Sequence, residues 1–456
     1  MGKRPTHFLG TPVTANGPLG PDMLRDFRVI RRNPLEYLHK VWREYGDIVQ
    51  FPIPRPPSYL VNSPEAVRHV LVTNARNYGK RTIQYRSLSL VTGEGLLTAD
   101  TPEWRRQRPL VQPAFHHETS GALLDHVCAS AQRVIGQWDR LCNGEVVDAD
   151  AAMMHAALEV VGEALFGADL SDDAAVITSA TLSALDVVIA RARVPITPPG
   201  WIPTPANRLL RSSLRDLDGA VDLLLAGQSA DDSTNMVALL RSARDENGDR
   251  LSAREIRDQI VTFIVAGHET VASALSWAIL LLALHPEVQQ RIVEEVAQIS
   301  GEREFTHAEL IQMSYTRAVV DETLRLFPPA WLITRQALNA DTLPSDTGSA
   351  VEVPAGSLII MSPWLLHRHP ARWSDPELFD PERMLAKNLR DGFIPFGAGP
   401  RLCIGRDFAY IESVALLAAL VRRYSFAPVQ EELPEAEPLV TIRPRSGAPV
   451  RITRRG

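Results

Sequence analysis

The chain has 456 residues, 45% of them hydrophobic and 22% charged, with a net charge of -6 and a pI near 6.1. That is enough chain to bury an extensive core, and the acidic balance gives no support to nucleic acid as a partner. Its cysteines, Cys128, Cys142 and Cys403, are an odd and widely spaced set with no CxxC pair, a pattern that fits neither a disulfide framework nor a zinc ribbon and suits a reducing cytoplasm.

The opening stretch "MGKRPTHFLGTPVTANGPLGP" carries basic residues but no apolar run of signal or anchor length, so no membrane anchor is expected. "DIVQFPIP" and "SYLVNSP" follow, rich in Val, Ile, Phe and Tyr and punctuated by proline, and read as a β-hairpin pair. From about Ala114 to Leu240 the apolar spacing is helical, and "AAMMHAALEVVGEALFG" closes on a glycine as helices often do. "ARVPITPPGWIPTP", residues 192–205, interrupts this run as either a lid or a stiff connector. "IVTFIVAGHETVASALSWAILLLAL", 260–284, has membrane-like hydropathy, yet His268 and Glu269 at its middle predict a long helix buried inside the protein. "LPSDTGSAVEVPAGSLIIMSPW", 343–364, returns to strand-like alternation. The expected fold is mainly α with a small β lobe, an α+β architecture. Its β-rich part falls at about 45–75 and 330–365, within one domain spanning 1–456.

"FGAGPRLCIG", 396–405, frames Cys403 with three glycines, an arginine and a phenylalanine. The following "IGRDFAYIESVALLAALVRRY" predicts a long helix beginning at or just beyond the cysteine. Unpaired backbone N–H groups and the positive end of the helix dipole there favour a thiolate. Gly397 and Gly399 allow an unusual backbone, Gly405 leaves space for something flat, Phe396 gives an apolar cover, and Arg401 supplies a fixed positive charge. A thiolate held in this way suits an axial ligand to haem iron.

"FGAGPRLCIGRDFA" resembles the haem-binding signature of the cytochrome P-450 family of haem-thiolate monooxygenases, and further matches occur in that family's order. "WRRQR", 104–108, resembles its Trp-x-x-x-Arg segment, "AGHET", 266–270, its oxygen-activating motif, and "ETLR", 322–325, its Glu-x-x-Arg motif. "FDPERM", 379–384, resembles its meander, with Met384 where Phe or Trp is more usual. The resemblance runs from about residue 35 to the C-terminus. It implies a single-domain fold with haem b (iron protoporphyrin IX) between the long central helix and the helix after the cysteine, and Cys403 as the axial ligand.

Glu322 and Arg325 lie three apart on a helix ended by Pro328 and Pro329, where the residues alone suggest a surface ion pair. The resemblance implies instead a buried set with Arg383 that supports the cysteine loop. Phe263, Ala266, Gly267 and Thr270 share a helical face, and the small Ala266 and Gly267 leave room over a flat cofactor. A back-bond from Thr270 to the preceding turn, with Glu269 meeting a distant cation, is one reading of that polar pair. The resemblance favours Thr270 bonding to the oxygen under activation or its ordered water, with Glu269 relaying protons. It also assigns Trp104, Arg108, Arg335 and Arg401 to the haem propionates, for which arginine forks are suited, and Thr262, Phe263, Ala266 and Ala330 to Ile333 to the substrate. His367 stays outside this set. Residues 78–97 and 192–205 fall where the family's variable active-site segments lie.

The implied activity inserts one atom of O2 into a lipophilic small molecule by hydroxylation or epoxidation. Electrons are expected from NAD(P)H through an external reductase, since about 50 residues follow Cys403. Arg105, Arg106, Arg406, Arg422 and Arg423 are the expected docking site of an acidic ferredoxin-type donor. A peroxide-driven peroxygenase and a non-catalytic haem sensor or carrier remain the alternatives.

Overall fold

The computed structural model describes residues 13–52, 56–115, 120–167, 174–192, 199–227, 236–345, 349–386 and 392–456. They fall into two compact units, each assembled from separated stretches of chain.

The first unit takes residues 1–86, 330–378 and 387–403. Its centre is a five-stranded sheet in the order Ile48–Phe51, Ser58–Val61, Leu358–Met361, Ile333–Ala337, Tyr78–Gly79. The first two strands form the expected hairpin, with Val49 opposite Leu60. Ser58–Val61 runs parallel to Leu358–Met361, and that strand is antiparallel to Ile333–Ala337 with Arg335 opposite Ile359. Tyr59, Val61, Val70, Ala337, Ile359 and Met361 make an apolar core beneath it. The alternation read at 343–364 is thus the alternation of one buried sheet face, whereas Ile48–Phe51 and Ser58–Val61 are buried along their whole length.

Residues 87–329, 379–386 and 404–456 make the second, mostly helical unit. Its longest helix, Ala253–Leu284, starts from a capping box in which Ser252 Oγ accepts the Glu255 N–H and Glu255 accepts the Ser252 N–H. It is long and apolar enough to cross a membrane by length and composition, but 83% of its most apolar window is buried inside the protein. That matches the expected core helix. Ala149–Phe166 ends on Gly167 in the left-handed region, φ 61°, as its sequence predicts. Ser314–Leu326 stops two residues before Pro328.

Sequence reading missed a three-stranded sheet, Glu145–Asp148, Pro449–Arg454 and Tyr424–Pro428, and a hairpin pairing Ala436–Pro438 with Ile442–Pro444. Prolines at 428, 434, 438, 444 and 449 obscure the strand signal there. Of the segment 192–205, residues 193–198 lie outside the described residues. The stretch 78–97 is largely the helix Ile83–Thr92.

Candidate active site

In the first unit, the loop bearing Cys403 is closed on itself by its own backbone. The Cys403 N–H donates to the Phe396 carbonyl at 3.0 Å, Gly397 N–H to Ile394 O at 3.0 Å, and Leu402 N–H to Gly399 O at 3.0 Å. Gly397 and Gly399 have φ of 71° and 69°, where a side chain is strained. A Cβ on Gly399 would also stand 1.9 Å from the Leu71 carbonyl oxygen, so this glycine is required by space as well as by backbone angle. His367, buried and set aside in the sequence reading, accepts the Ile394 N–H at Nε2 over 2.9 Å and so anchors the loop.

The loop leaves Cys403 exposed, with the apolar Ile394, Phe396 and Leu402 only half-buried. The helix Arg406–Arg423 begins just beyond, so Cys403 lies two residues before its N-cap, Gly405. No side chain caps that N-terminus. A Cβ on Gly405 would meet only Phe115, at 3.8 Å, so protein packing leaves that space open. Of the other first-unit candidates, Arg335 is buried and donates to Thr334 O at 2.8 Å, Arg401 is half-buried, Ile333 is buried and Ala330 is exposed.

Within the second unit, every residue of the long helix from Asp258 to Ala283 is buried except Ala266, Gly267 and Thr270. These share one side of the helix, the side expected from their spacing. Thr270 Oγ1 donates to Ala266 O at 2.8 Å. This is the back-bond weighed in the sequence, and it leaves the oxygen's lone pairs able to accept. Phe263 packs on Phe115 with ring centroids 5.4 Å apart.

Two assignments on this helix need correction. A Cβ on Gly267 would stand 2.6 Å from Val161 Cγ2, so its bareness admits the helix Ala149–Phe166 rather than a cofactor. A Cβ on Gly95 would lie 2.1 Å from Thr262 Oγ1, so that hydroxyl is covered by the Gly95 backbone and faces protein, not substrate. Trp104 and Arg108 sit one turn apart on Thr101–Val111, both half-buried.

Glu269 points about 100° around the helix from Thr270. It is 3% exposed, and its Oε2 has no hydrogen-bond partner. Burial pushes its carboxyl up to about 7, against the opposing charge of Arg443, while Asp186 and Asp150 add to the rise and Thr441 opposes it. Burial lowers the neighbouring His268 to about 4, so at neutral pH that imidazole is uncharged. Its Nδ1 bonds to Ile264 O at 2.6 Å.

The family model described as Cytochrome P-450 matches residues 23–448 of this chain. The chain belongs to the cytochrome P-450 family. It is 33% identical to cyclooctat-9-en-7-ol 5-monooxygenase of Streptomyces melanosporofaciens, over 91% of the chain and 90% of that protein. Against pentalenene oxygenase of Streptomyces avermitilis the identity is 31%, over 93% and 92%. Against the chloroplastic protein LUTEIN DEFICIENT 5 of Arabidopsis thaliana it is 30%, over 92% and 74%.

As a cytochrome P-450 the protein is a haem-thiolate oxidoreductase with monooxygenase relatives, and its mainly helical fold with small sheets is the family's. The residues fit the cofactor on two counts. An exposed thiol stands in a loop whose apolar side chains remain partly uncovered, as a flat macrocycle held through its metal requires. At Gly405 a side chain would meet only the edge of Phe115, at 3.8 Å, so the glycine leaves room beside it.

Glu322 and Arg325 of this P-450 are buried, as the resemblance implied, and Arg383 is 11% exposed. Arg325 grips Glu322 with two bonds, Nε to Oε2 at 2.7 Å and Nη2 to Oε1 at 2.8 Å, and both side chains are fully buried. Arg383 Nε lies 3.1 Å from Glu322 Oε1, and the Asp380 N–H donates to the same oxygen at 3.0 Å. One carboxylate therefore receives three groups from two separated segments, far more than the surface pair that the residues alone suggested.

The arginines read as a docking patch are mostly committed elsewhere. Arg106 pairs with Glu255 and with Asp245. Arg423 pairs with Asp139 at 2.8 Å, Arg422 donates to the carbonyls of Gly301 and Arg303, and Arg406 pairs with Asp407. Arg406 and Arg422 also sit 16 residues apart on one helix, about 24 Å along its axis. Arg105, Arg406 and Arg423 are exposed, whereas Arg106 and Arg422 are half-buried.

Proposed function

We propose that this cytochrome P-450 inserts one atom of O2 into a lipophilic small molecule of the cyclic terpene class, by hydroxylation or epoxidation. The observation that carries the reading is the exposed Cys403 in a loop closed by its own N–H on Phe396. The names of the two Streptomyces relatives supply the substrate class.

Cys403 would hold the haem iron through its thiolate. Phe396, Gly397, Gly405 and Ala266 would contribute surface to the haem, and Trp104, Arg108, Arg335 and Arg401 would hold its propionates. Phe263, Ala266, Ala330 and Ile333 contribute apolar surface to the substrate. Haem, when bound, supplies the iron at which dioxygen is activated. Thr270 orients water and protons there through its free lone pairs, and Glu269 supplies the protons. For hydroxylation, substrate, O2, NAD(P)H and a proton give hydroxylated substrate, water and NAD(P)+. The chain acts as one catalytic domain in the cytoplasm, and the electrons come through a separate ferredoxin-type donor. Among the arginines proposed for docking, Arg105, Arg406 and Arg423 are exposed.

The test is the absorption spectrum of reduced, haem-loaded protein with carbon monoxide, followed by titration with cyclic terpene alcohols and hydrocarbons. A sulfur-ligated spectrum that Cys403→Ser abolishes, and a spin-state shift with the terpenes, are expected. A spectrum unchanged by Cys403→Ser overturns the ligand assignment. Product formation from peroxide alone, equal to that with reductase and NAD(P)H, overturns the monooxygenase reading. Arg105→Glu should weaken turnover at limiting ferredoxin, and unchanged kinetics and salt dependence would retire the docking assignment.

A further inference from the structure

The strand Ile442–Pro444 lies along the side of the long helix that carries Glu269. Its anchor is the Ile442 carbonyl, which accepts from Ser273 Oγ at 2.5 Å and from Trp277 Nε1 at 3.1 Å. Ser273 and Trp277 follow Glu269 by four and eight residues, so one helix face holds all three. The residues flanking Ile442 are thereby fixed beside that face. Arg443 pairs with Asp150, whose other oxygen accepts from Ser276 Oγ at 3.0 Å, and Ser276 is seven residues from Glu269 on the same face. Thr441 is 3% exposed, and its hydroxyl faces the Glu269 carboxyl, whose ionisation it favours.

We infer that Arg443, clamped by Asp150 and Ser276, is a positioning residue for Glu269, so that the C-terminal hairpin is part of the proton-delivery machinery. This rests on the proton-supplying role given to Glu269 above. A carboxyl on this helix face, buried among apolar side chains, would stay neutral through the physiological range and could not exchange its proton. The guanidinium supplies the opposing charge that brings the ionised form within reach. The clamp keeps that charge from moving away: Asp150 takes the pairing bond and Ser276 holds Asp150. The other groups around the carboxyl do not substitute for it. Asp150 and Asp186, from the helices Ala149–Phe166 and Ala174–Ala192, are acidic and oppose ionisation; His268 is uncharged; Thr441 offers a dipole but no charge.

The experiment compares Arg443→Met, Arg443→Lys and Glu269→Gln in the haem-loaded enzyme. The direct readout is the infrared band of the protonated carboxyl that Glu269→Gln removes, followed against pH. In Arg443→Met that band should persist to higher pH by about one unit or more, and Arg443→Lys should restore most of the difference. The fraction of reducing equivalents recovered as product should move along the pH axis in step, while the reduced carbon monoxide spectrum stays that of the parent.

A band that titrates identically in Arg443→Met and parent overturns the inference. If instead Glu269→Gln leaves product coupling untouched at every pH, the role of Glu269 itself fails, whatever Arg443 does to the band. If Arg443→Met does not fold, Ser276→Ala loosens the clamp while leaving every charge in place; no displacement of the band there also counts against the proposal.

Discussion

A methyl group on Gly267 would stand 2.6 Å from Val161 Cγ2, closer than any real carbon pair packs. The glycine of the AGHET motif is thus fixed by a neighbouring helix. Gly267→Ala should destabilise the protein by about 1–3 kcal/mol through overpacking. Val161→Ala in the same chain should recover much of that loss, because it removes the clashing methyls. Thermal or denaturant midpoints of the two single variants and the double variant measure the coupling.

The two loop glycines separate backbone strain from lack of space. Both have positive φ, but a Cβ on Gly397 would find only Ile333, at 4.0 Å, whereas on Gly399 it would collide with the Leu71 carbonyl. Gly397→Ala should cost about 1–2 kcal/mol and still bind haem. Gly399→Ala should give protein with little or no haem. The ratio of haem to protein after purification distinguishes them, and equal loading would contradict the close approach to Leu71.

Breaking the Glu322 set leaves a buried arginine without its carboxylate. Glu322→Ala should cost about 3–5 kcal/mol, and Glu322→Gln, which keeps the shape and part of the hydrogen bonding, should cost less. Arg325→Lys should also destabilise, since lysine cannot make the bidentate grip seen at 2.7 and 2.8 Å. Soluble yield and unfolding midpoint are the measurements, and a wild-type midpoint for Glu322→Ala would show the set to be dispensable.

Glu269 predicts a pH dependence of stability with a definite sign. Its folded pKa, about 7, lies above the ordinary carboxyl value of 4.5, so between these values the folded state holds a proton that the unfolded chain has lost. Folding is favoured below that window by comparison with above it, and stability falls as pH rises through it. Glu269→Gln removes the titration. The variant should gain stability relative to the parent at pH 8 and show little difference at pH 4, read from unfolding midpoints across the range.

Much of this site was legible because its chemistry is local in sequence. Cys403, its glycines and the onset of the next helix lie within a dozen residues, and the 3.6-residue spacing put Ala266 and Thr270 on one side of a helix. What could not be read was which neighbour each side chain would meet. Whether the space at Gly267 belonged to a cofactor or to Val161 depended on a helix a hundred residues earlier. Arg443 lay in a proline-interrupted tail with no strand signal, and its relation to Glu269 exists only once Ser273 and Trp277 have captured Ile442. Arg106, Arg422 and Arg423 looked like a free basic surface for the same reason: their partners Glu255, Gly301 and Asp139 are remote in sequence.

The strand Pro449–Arg454 is the middle member of its sheet, flanked by Tyr424–Pro428 and by Glu145–Asp148 from some three hundred residues before. Until it arrives, Glu145–Asp148 has no partner along that edge, and closing so large a loop is entropically slow. The helical unit of a growing chain therefore cannot lock until residues some three hundred positions after Glu145 have been made. A deletion of a handful of residues here should be felt as a failure to mature rather than as a trimmed end.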